Sequence, residues 1–340
     1  MNHKKLILNL QAAKNQRKPW KKEAFEAFYA MMTNDSQRFP CVFGSSGVKT
    51  RQVRYAFLDS SSFTPDVETL GGILESYLSI SKTLGKNTSL VVFFKPDQRR
   101  FTLTEYELHF WQILQELNNI DQFEWPGSIP KNPDHYLWEF SFAGDSMFVV
   151  CSNPAHKARK SRYFDTFMLT FQPRWVFDAL KGSRFKKGKE TVRKILKAYD
   201  EIPAYPELGI YGDKNNREWR QYFLPDSNND LISCPFYVKK DFEFYPGTPQ
   251  TLSQAVQELL PESGYVEVQR DPPKKQHTLH THPTDETLLI VEGDIVFSIG
   301  SEQIRCTSGD RILLTANTPH SSITHNGCTY VISTKLKPAA

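Results

Sequence analysis

His280, His282, Glu286 and His320 bring three imidazoles and a carboxylate into the last quarter of a 340-residue chain, within His-Thr-His-Pro-Thr-Asp-Glu and Thr-Pro-His. Alternate residues of a strand share a face, so His280 and His282 are expected to point the same way. Pro283-Thr284-Asp285 reads as a turn leading to Glu286, and Glu292-Gly293-Asp294 reads as the hairpin that ends the following strand. Three neutral imidazoles and one carboxylate suit Fe(II), Mn(II), Ni(II), Co(II) or Zn(II), with one or two coordination positions left open for water, oxygen or substrate.

The elements that must position this quartet follow from periodicity and turn chemistry. Short strands separated by turn residues run from about 264 to 334, as a small antiparallel barrel requires. Thr251–Leu260 reads as a short helix leading into that barrel, and 239–250, rich in Pro and Gly near its end, as a linker. Upstream, helical periodicity marks 23–32 and 66–82, and 52–58 and 89–94 read as strands. A capping-box pattern places the start of an amphipathic helix at Thr104, running to Leu117. Trp138–Phe142 and Ser146–Cys151 form an expected hairpin about Gly144-Asp145, followed by helices over Arg174–Lys181 and Lys189–Asp200 and a loop over 202–230. The fold expected is an α+β first domain (1–238), with a mixed sheet and helices, joined to an all-β second domain (251–340).

Composition limits the functional classes. A hydrophobic fraction of 39% and a length of 340 residues are enough for two domains with real cores. A net charge of +4 supplies no global field for nucleic acid, although Lys and Arg cluster at 156–162 and 182–194. No run of about 18 apolar residues stands anywhere in the chain, and Met1–Lys22 is polar and basic, without the apolar stretch of a signal peptide. A cytoplasmic protein with neither nucleic acid nor membrane as partner is expected. The five cysteines, at 41, 151, 234, 306 and 328, form no Cys-x-x-Cys pair and read as reduced, mostly buried thiols. No Gly-x-Gly-x-x-Gly turn is found, so reducing equivalents are expected from a separate reductase or from peroxide.

The segment 262–335, with His280 to Gly293 and then Gly309-Asp310 to Pro319-His320, resembles the cupin superfamily. That resemblance implies a metal site at His280, His282, Glu286 and His320, and leaves the reaction open between dioxygenase, isomerase and binding module. A second resemblance covers the first 235 residues. Phe39-Pro40-Cys41-Val42-Phe43-Gly44, Trp138-Glu139-Phe140-Ser141-Phe142-Ala143-Gly144, Asn153-Pro154-Ala155-His156, Ser161-Arg162-Tyr163, Leu169-Thr170-Phe171-Gln172-Pro173 and Arg220-Gln221-Tyr222 are similar to the YqcI/YcgG family. Members of that family with known activity resemble haem-dependent N-oxygenases that hydroxylate the guanidino nitrogen of arginine in natural-product pathways. Many carry His-Pro where this chain has Asn153-Pro154, and the imidazole stands instead at His156.

A haem needs an axial donor, an apolar pocket and cations for two propionates. On the strength of the resemblance His156 is expected as haem b ligand, with Cys151, His135 and His109 as competitors, and Arg159, Lys160, Arg162 and Arg220 as candidate haem contacts. Glu139 is the acid expected to pair with a substrate guanidinium, ahead of Glu124, Asp121 and Glu218. A haem N-oxygenase joined to a cupin is similar in plan to nitrosourea-forming enzymes, in which an N-hydroxylating domain feeds a cupin. By that analogy the chain hydroxylates a guanidine amino acid with O2 or peroxide, and the cupin rearranges the N-hydroxyguanidine. Two alternatives stay open: a non-catalytic cupin for ligand sensing or dimerisation, and a cupin dioxygenase without haem. A homodimer is expected.

Overall fold

The run Leu90-Val91-Val92-Phe93-Phe94 has no polar alternation, and a strand of that kind has to be buried on both faces. In the computed structural model, which describes residues 3–178, 183–230, 234–238, 242–299, 302–316 and 318–335, all five of its residues are buried. The chain divides into two compact units, 1–238 and 239–340.

The first unit contains α1 (Leu10–Lys14), α2 (Pro19–Thr33), α3 (Val42–Lys49), β1 (Arg54–Leu58), α4 (Val67–Ser81), β2 (Leu90–Phe94), α5 (Leu103–Ile120), β3 (Ser141–Phe142), β4 (Asp145–Ser152), β5 (Met168–Pro173), α6 (Arg174–Asp178) and α7 (Ser183–Tyr199). Its sheet is mixed, in the order β1-β2-β5-β4-β3, with β1 and β2 parallel and the other pairs antiparallel. Leu90, Val92 and Phe94 join Met147, Val149, Cys151, Leu169 and Phe171 in a core closed by α4 and α5. On the opposite face Val91, Phe93, Tyr55 and Phe57 pack against Phe25, Phe28 and Met32 of α2. Period-two alternation thus assigns each strand residue to one of two cores.

Several boundaries differ from the sequence expectation for local reasons. The capping box of α5 is formed by Thr102 and Glu105, two residues before the expected start: the extended Thr102 accepts the Glu105 N–H, and the Glu105 carboxylate accepts the Thr102 N–H at 2.7 Å. The β3–β4 turn is Ala143-Gly144, both at positive φ (50° and 77°), the type I′ arrangement whose twist matches the strands. Of the helix expected over Arg174–Lys181, α6 occupies Arg174–Asp178, and the rest of that expectation lies outside the described residues.

The second unit contains β6 (Phe242–Tyr245), α8 (Leu252–Leu259), β7 (Gly264–Asp271), β8 (Gln276–His280), β9 (Glu286–Ile299), β10 (Glu302–Thr307), β11 (Arg311–Leu314), β12 (His320–Ile323) and β13 (Cys328–Lys335). All its strand pairs are antiparallel, and the long β9 pairs with β11 and β13 along its first half and with β10 and β12 along its second. Gly293 does not end a strand as expected. It lies inside β9 at φ 83°, where a Cβ would come 2.0 Å from the Gly327 carbonyl oxygen, so glycine is needed for close backbone approach. The expected linker also carries structure: β6 pairs with β11, and Phe242 packs onto the barrel core. Residues 239–241 of that linker lie outside the described residues.

Among the described residues no helix is long and apolar enough to cross a membrane. All five cysteines are free; Cys151, Cys306 and Cys328 are buried, whereas Cys41 is exposed by surface area. Leu114 of α5 is fully buried between α5 and the sheet core. Leu114→Ala is expected to destabilise the first unit by about 2–5 kcal/mol, read as a lower urea midpoint at unchanged m-value.

Candidate functional sites: a histidine trio and an apolar cavity

In the second unit, strand pairing assembles the metal donors. His280 ends β8 and is the cross-strand partner of His320, the first residue of β12. His282 lies two residues further on, past the end of β8, so it reaches the site from the loop and not from the strand face that the sequence suggests. The three rings stand 4.5 to 5.4 Å apart between centroids, and one nitrogen from each lies within 4.8 Å of the others. The Nδ1 atoms of His280 and His320 lie 2.6 and 2.9 Å from the Thr278 and Thr318 carbonyl oxygens. A carbonyl only accepts, so those Nδ1 atoms carry the proton and Nε2 is the free donor, the usual outer support of a ligating histidine.

Glu286, the buried first residue of β9, places Oε1 3.2 Å from His282 Nδ1. It therefore stands beside the trio and not within it. Burial, with Glu267 adding to it, pushes the Glu286 carboxyl up to about 7. Burial also lowers His282 and His320 below the ordinary imidazole value. Neutral imidazoles next to a carboxyl that resists ionisation are the donor set that a divalent cation satisfies. His277 is instead bound to Asp271 at 2.8 Å, and His325 is exposed outside the trio.

In the first unit, a cavity of about 320 Å3 opens on the sheet face away from α4 and α5. Val91 of β2, Phe148, Val150 and Ser152 of β4, and Met168, Thr170 and Gln172 of β5 form its floor, and residues of α2, α3 and α7 form its walls. Two guanidinium groups line it, Arg162 and Arg193, and no described lining residue is a carboxylate. Cys41 also lines it, as the N-cap of α3, with Sγ accepting the Gly44 N–H at 3.3 Å. The thiol keeps accessible surface, yet burial raises its pKa, with the Gly44 N–H and Arg162 opposing: the behaviour of a side chain on the wall of a recess. Apolar walls, a soft donor and cations without acids fit a flat apolar group bearing carboxylates, and so fit a haem.

The residues expected to hold that haem fall mostly elsewhere. His156 is not on the cavity wall: its side chain is fully buried, its ring lies against Phe223, and Nδ1 is 3.5 Å from Asp226 Oδ1. Asp226 accepts the backbone N–H groups of Lys157, Ala158 and Arg159 at 2.9, 2.9 and 2.7 Å, and the imidazole projects inward from the loop so held. Burial holds His156 neutral, at about 4, and neither ring nitrogen has a hydrogen-bond partner among the described residues. Arg159 is committed to the Pro225 carbonyl and Asn228, Lys160 to Glu201, and Arg220 to Glu207. Among the four expected cations only Arg162 faces the cavity. Cys151 points into the opposite core, because Val150 and Ser152 take the cavity face. His109 packs on Phe101 beside Ser62, and His135 accepts the Leu137 N–H.

Glu139 is not free for a substrate. Its two carboxylate oxygens receive Nε and Nη2 of Arg174, which also pairs with Glu218 at 2.9 Å and stacks over Tyr211, 3.8 Å from the ring centroid. Burial pushes Glu139 up against the pull of Arg174; burial works to lower Arg174, but Glu139 and Glu218 raise it. Asp121 accepts the Ala143 N–H, Glu124 is exposed, and the Tyr222 hydroxyl bridges the Phe140 N–H and the Met147 carbonyl. Cys41 and Arg193 were missed because nothing in their spacing speaks of a site; the available signal was Pro40-Cys41 opening a helix that carries Gly44 and Gly47.

Arg174→Ala would strand two buried carboxylates and is expected to cost about 3–5 kcal/mol, measured by urea unfolding; Arg174→Lys should recover only part, since it cannot pair bidentately. At the histidine trio, protons compete with metal. With Glu286 at about 7, Zn(II) or Co(II) affinity should fall as pH drops from 7 to 6, by about tenfold per unit for each proton displaced. Chelator competition reads this, and a pH-independent affinity would remove Glu286 from the ligand set.

The YqcI/YcgG family pattern matches residues 28–237, and the cupin domain pattern matches 267–328. The protein called uncharacterized protein YcgG in Bacillus subtilis (strain 168) is 42% identical over 229 residues, covering 66% of this chain and 90% of its own. A putative N(omega)-hydroxy-L-arginine synthase, DcsA, of Streptomyces lavendulae is 32% identical over 226 residues, covering 64% of this chain and 84% of its own. Among solved structures, a cupin-2 domain containing protein from Shewanella frigidimarina shares 16% identity over 21% of this chain and 70% of that chain, with a TM-score of 0.20. With more than half of its length inside one family pattern and a cupin domain behind it, this chain is a member of the YqcI/YcgG family.

Proposed function

We propose that the chain is a bifunctional oxidoreductase of specialised metabolism. Its first unit hydroxylates a guanidino nitrogen of arginine or an arginine derivative with the help of haem. Its cupin unit then uses a divalent metal, Fe(II) first among the candidates, with O2 as the oxidant, for an oxidative rearrangement of the N-hydroxyguanidine through N–O or N–N bond chemistry to an N-nitroso or diazeniumdiolate type of product. The observation that carries this reading is the 32% identity to a putative N(omega)-hydroxy-L-arginine synthase over 84% of that protein.

Two features of the chain support it. The cavity offers apolar walls, a thiol and two guanidinium groups, the complement of a haem, which when bound would supply oxygen activation. Inserting one oxygen atom balances with O2 and two electrons from a separate reductase, or with peroxide. The cupin unit offers His280, His282 and His320, with the Glu286 carboxylate 3.2 Å from His282. Joining both activities in one chain raises the effective concentration of the reactive intermediate for its second step.

A second reading keeps the haem reaction and gives the cupin unit a role in self-association as a homodimer. Leu260, Tyr265, Val268 and Leu279 favour it, as apolar side chains left exposed on the second unit. The two readings separate in one experiment. Protein incubated with arginine, reductant and oxygen should yield arginine carrying one added oxygen atom, and a rearranged product beyond it, both seen by mass spectrometry. In His280→Ala/His282→Ala the rearranged product should vanish while hydroxyarginine accumulates. If instead only the oligomeric state or the melting temperature changes, the second reading holds; no oxygenated arginine at all would sink both.

A further inference from the structure

An axial ligand has to face the space that the macrocycle fills. The alternation of β4 turns Cys151 to the far core, and the loop held by Asp226 keeps His156 off the cavity wall. Cys41 faces the cavity, and against the burial that disfavours a charge on its sulfur stand two local features. It caps the N-terminus of the eight-residue α3, where backbone N–H groups and the helix dipole favour an anion, and one of those N–H groups, from Gly44, is on Sγ. The approach is close: a Cβ on Gly44 would lie 3.0 Å from Sγ and 3.1 Å from Met32 Cε, so a larger residue there would press on the thiol.

Among the described residues the cations of the same cavity are bonded only to backbone carbonyls, Arg162 to Ser161 and Arg193 to Leu208. Arg162 has its Nε sealed from solvent without a hydrogen-bond partner, and neither Arg162 nor Arg193 forms an ion pair among the described residues. Arg193 gives one Nη2 bond to the Leu208 carbonyl at 2.6 Å. Two guanidinium groups on an apolar wall without acids call for a ligand with two carboxylates.

We propose that Cys41 is the axial thiolate ligand of a haem held in this cavity, with Arg162 and Arg193 pairing with its propionates. The assignment rests on the haem reading given above. On coordination the Cys41 S–H proton leaves to solvent and sulfur bonds to iron, since a coordinating thiol is deprotonated outright. Thiolate donation favours O–O bond cleavage in oxygen-activating haem proteins, the chemistry that hydroxylation of a nitrogen requires.

The test is spectroscopic, on the full chain purified with haem supplied. The wild type should show a Soret band whose ferrous-carbonyl form is red-shifted, the signature of thiolate ligation. Cys41→Ser should lose that shifted form or lose haem, while Cys151→Ser and His156→Ala keep it. Arg162→Leu should retain the shifted band but release haem faster to an apomyoglobin acceptor. A Soret band with an unshifted carbonyl form in the wild type overturns the assignment even if Cys41→Ser fails to fold, and so does a shifted form that survives Cys41→Ser. A protein that takes up no haem overturns the haem reading itself.

Discussion

A strand buried on both faces has no side for solvent, and β2 in the sheet of the first unit is such a strand, while β4 and β5 alternate buried with half-buried residues. Each residue of β2, β4 and β5 must enter one of two apolar compartments, and neighbours in sequence enter opposite ones. One compartment is filled tightly by α4 and α5, down to Tyr77, whose hydroxyl is matched with Thr88 in the interior. The other is covered by α2, α3 and α7 and retains a cavity. The position of α3 is itself set by backbone contact, since a Cβ on Gly47 would come 2.2 Å from the Asn87 carbonyl oxygen just ahead of β2. That contact holds α3, which Cys41 caps, close against the chain that leads into β2.

The same sealed interior determines which charges are available for chemistry. A buried ion pair recovers its desolvation cost only when the geometry is good and the remaining polar atoms are satisfied. Arg174 meets that condition through two bonds to Glu139, a further pair with Glu218, and a ring beneath it at Tyr211. Glu218 is satisfied in turn by Asn216 and Gln221. The group ties the end of β5 to the segment before β3 and to the turn at Glu218–Gln221, three stretches far apart in the chain. Two carboxylates and an aromatic ring around a guanidinium are what a guanidine-binding pocket would use, but here the guanidinium belongs to the fold.

This explains which parts of the molecule were legible in the sequence. Periodicity located β1, β2, α4, α5 and α8 and marked 264–334 as a run of short strands, because each reports a local pattern of burial. The histidine trio was legible for the same reason, His280 and His282 being close in sequence and His320 sitting in a short turn motif. Glu139 and His156 are expected from the sequence as a substrate acid and a haem ligand, and the structure buries both away from the cavity. The partner of Glu139, Arg174, stands 35 residues away, and Asp226, which holds the loop that carries His156, lies roughly twice as far along the chain, so no spacing rule sees them. Gly293 misled because a glycine between Glu and Asp signals a turn, whereas tertiary crowding by Gly327 demands one inside a strand. Cys41 escaped notice because a thiol at a helix start acquires meaning only from the cavity beneath it.

In the second unit, one strand reconciles the requirements of barrel and metal site. β9 takes part in both halves of the barrel, so its first residue, Glu286, is fixed beside the trio by pairing with Leu314 and Thr334, not by the loop that precedes it. The loop then has only to carry His282, whose Nδ1 meets that carboxylate. Across the site, His280 and His320 face one another as strand partners, each oriented by a carbonyl two residues earlier in its own chain segment. Burial works against charge on every one of these groups that it shifts, raising Glu286 and lowering His282 and His320. A proton shared between Glu286 and His282 relieves that conflict at one point only. A divalent cation held by the trio would take the imidazoles as they are and compensate the carboxylate beside them.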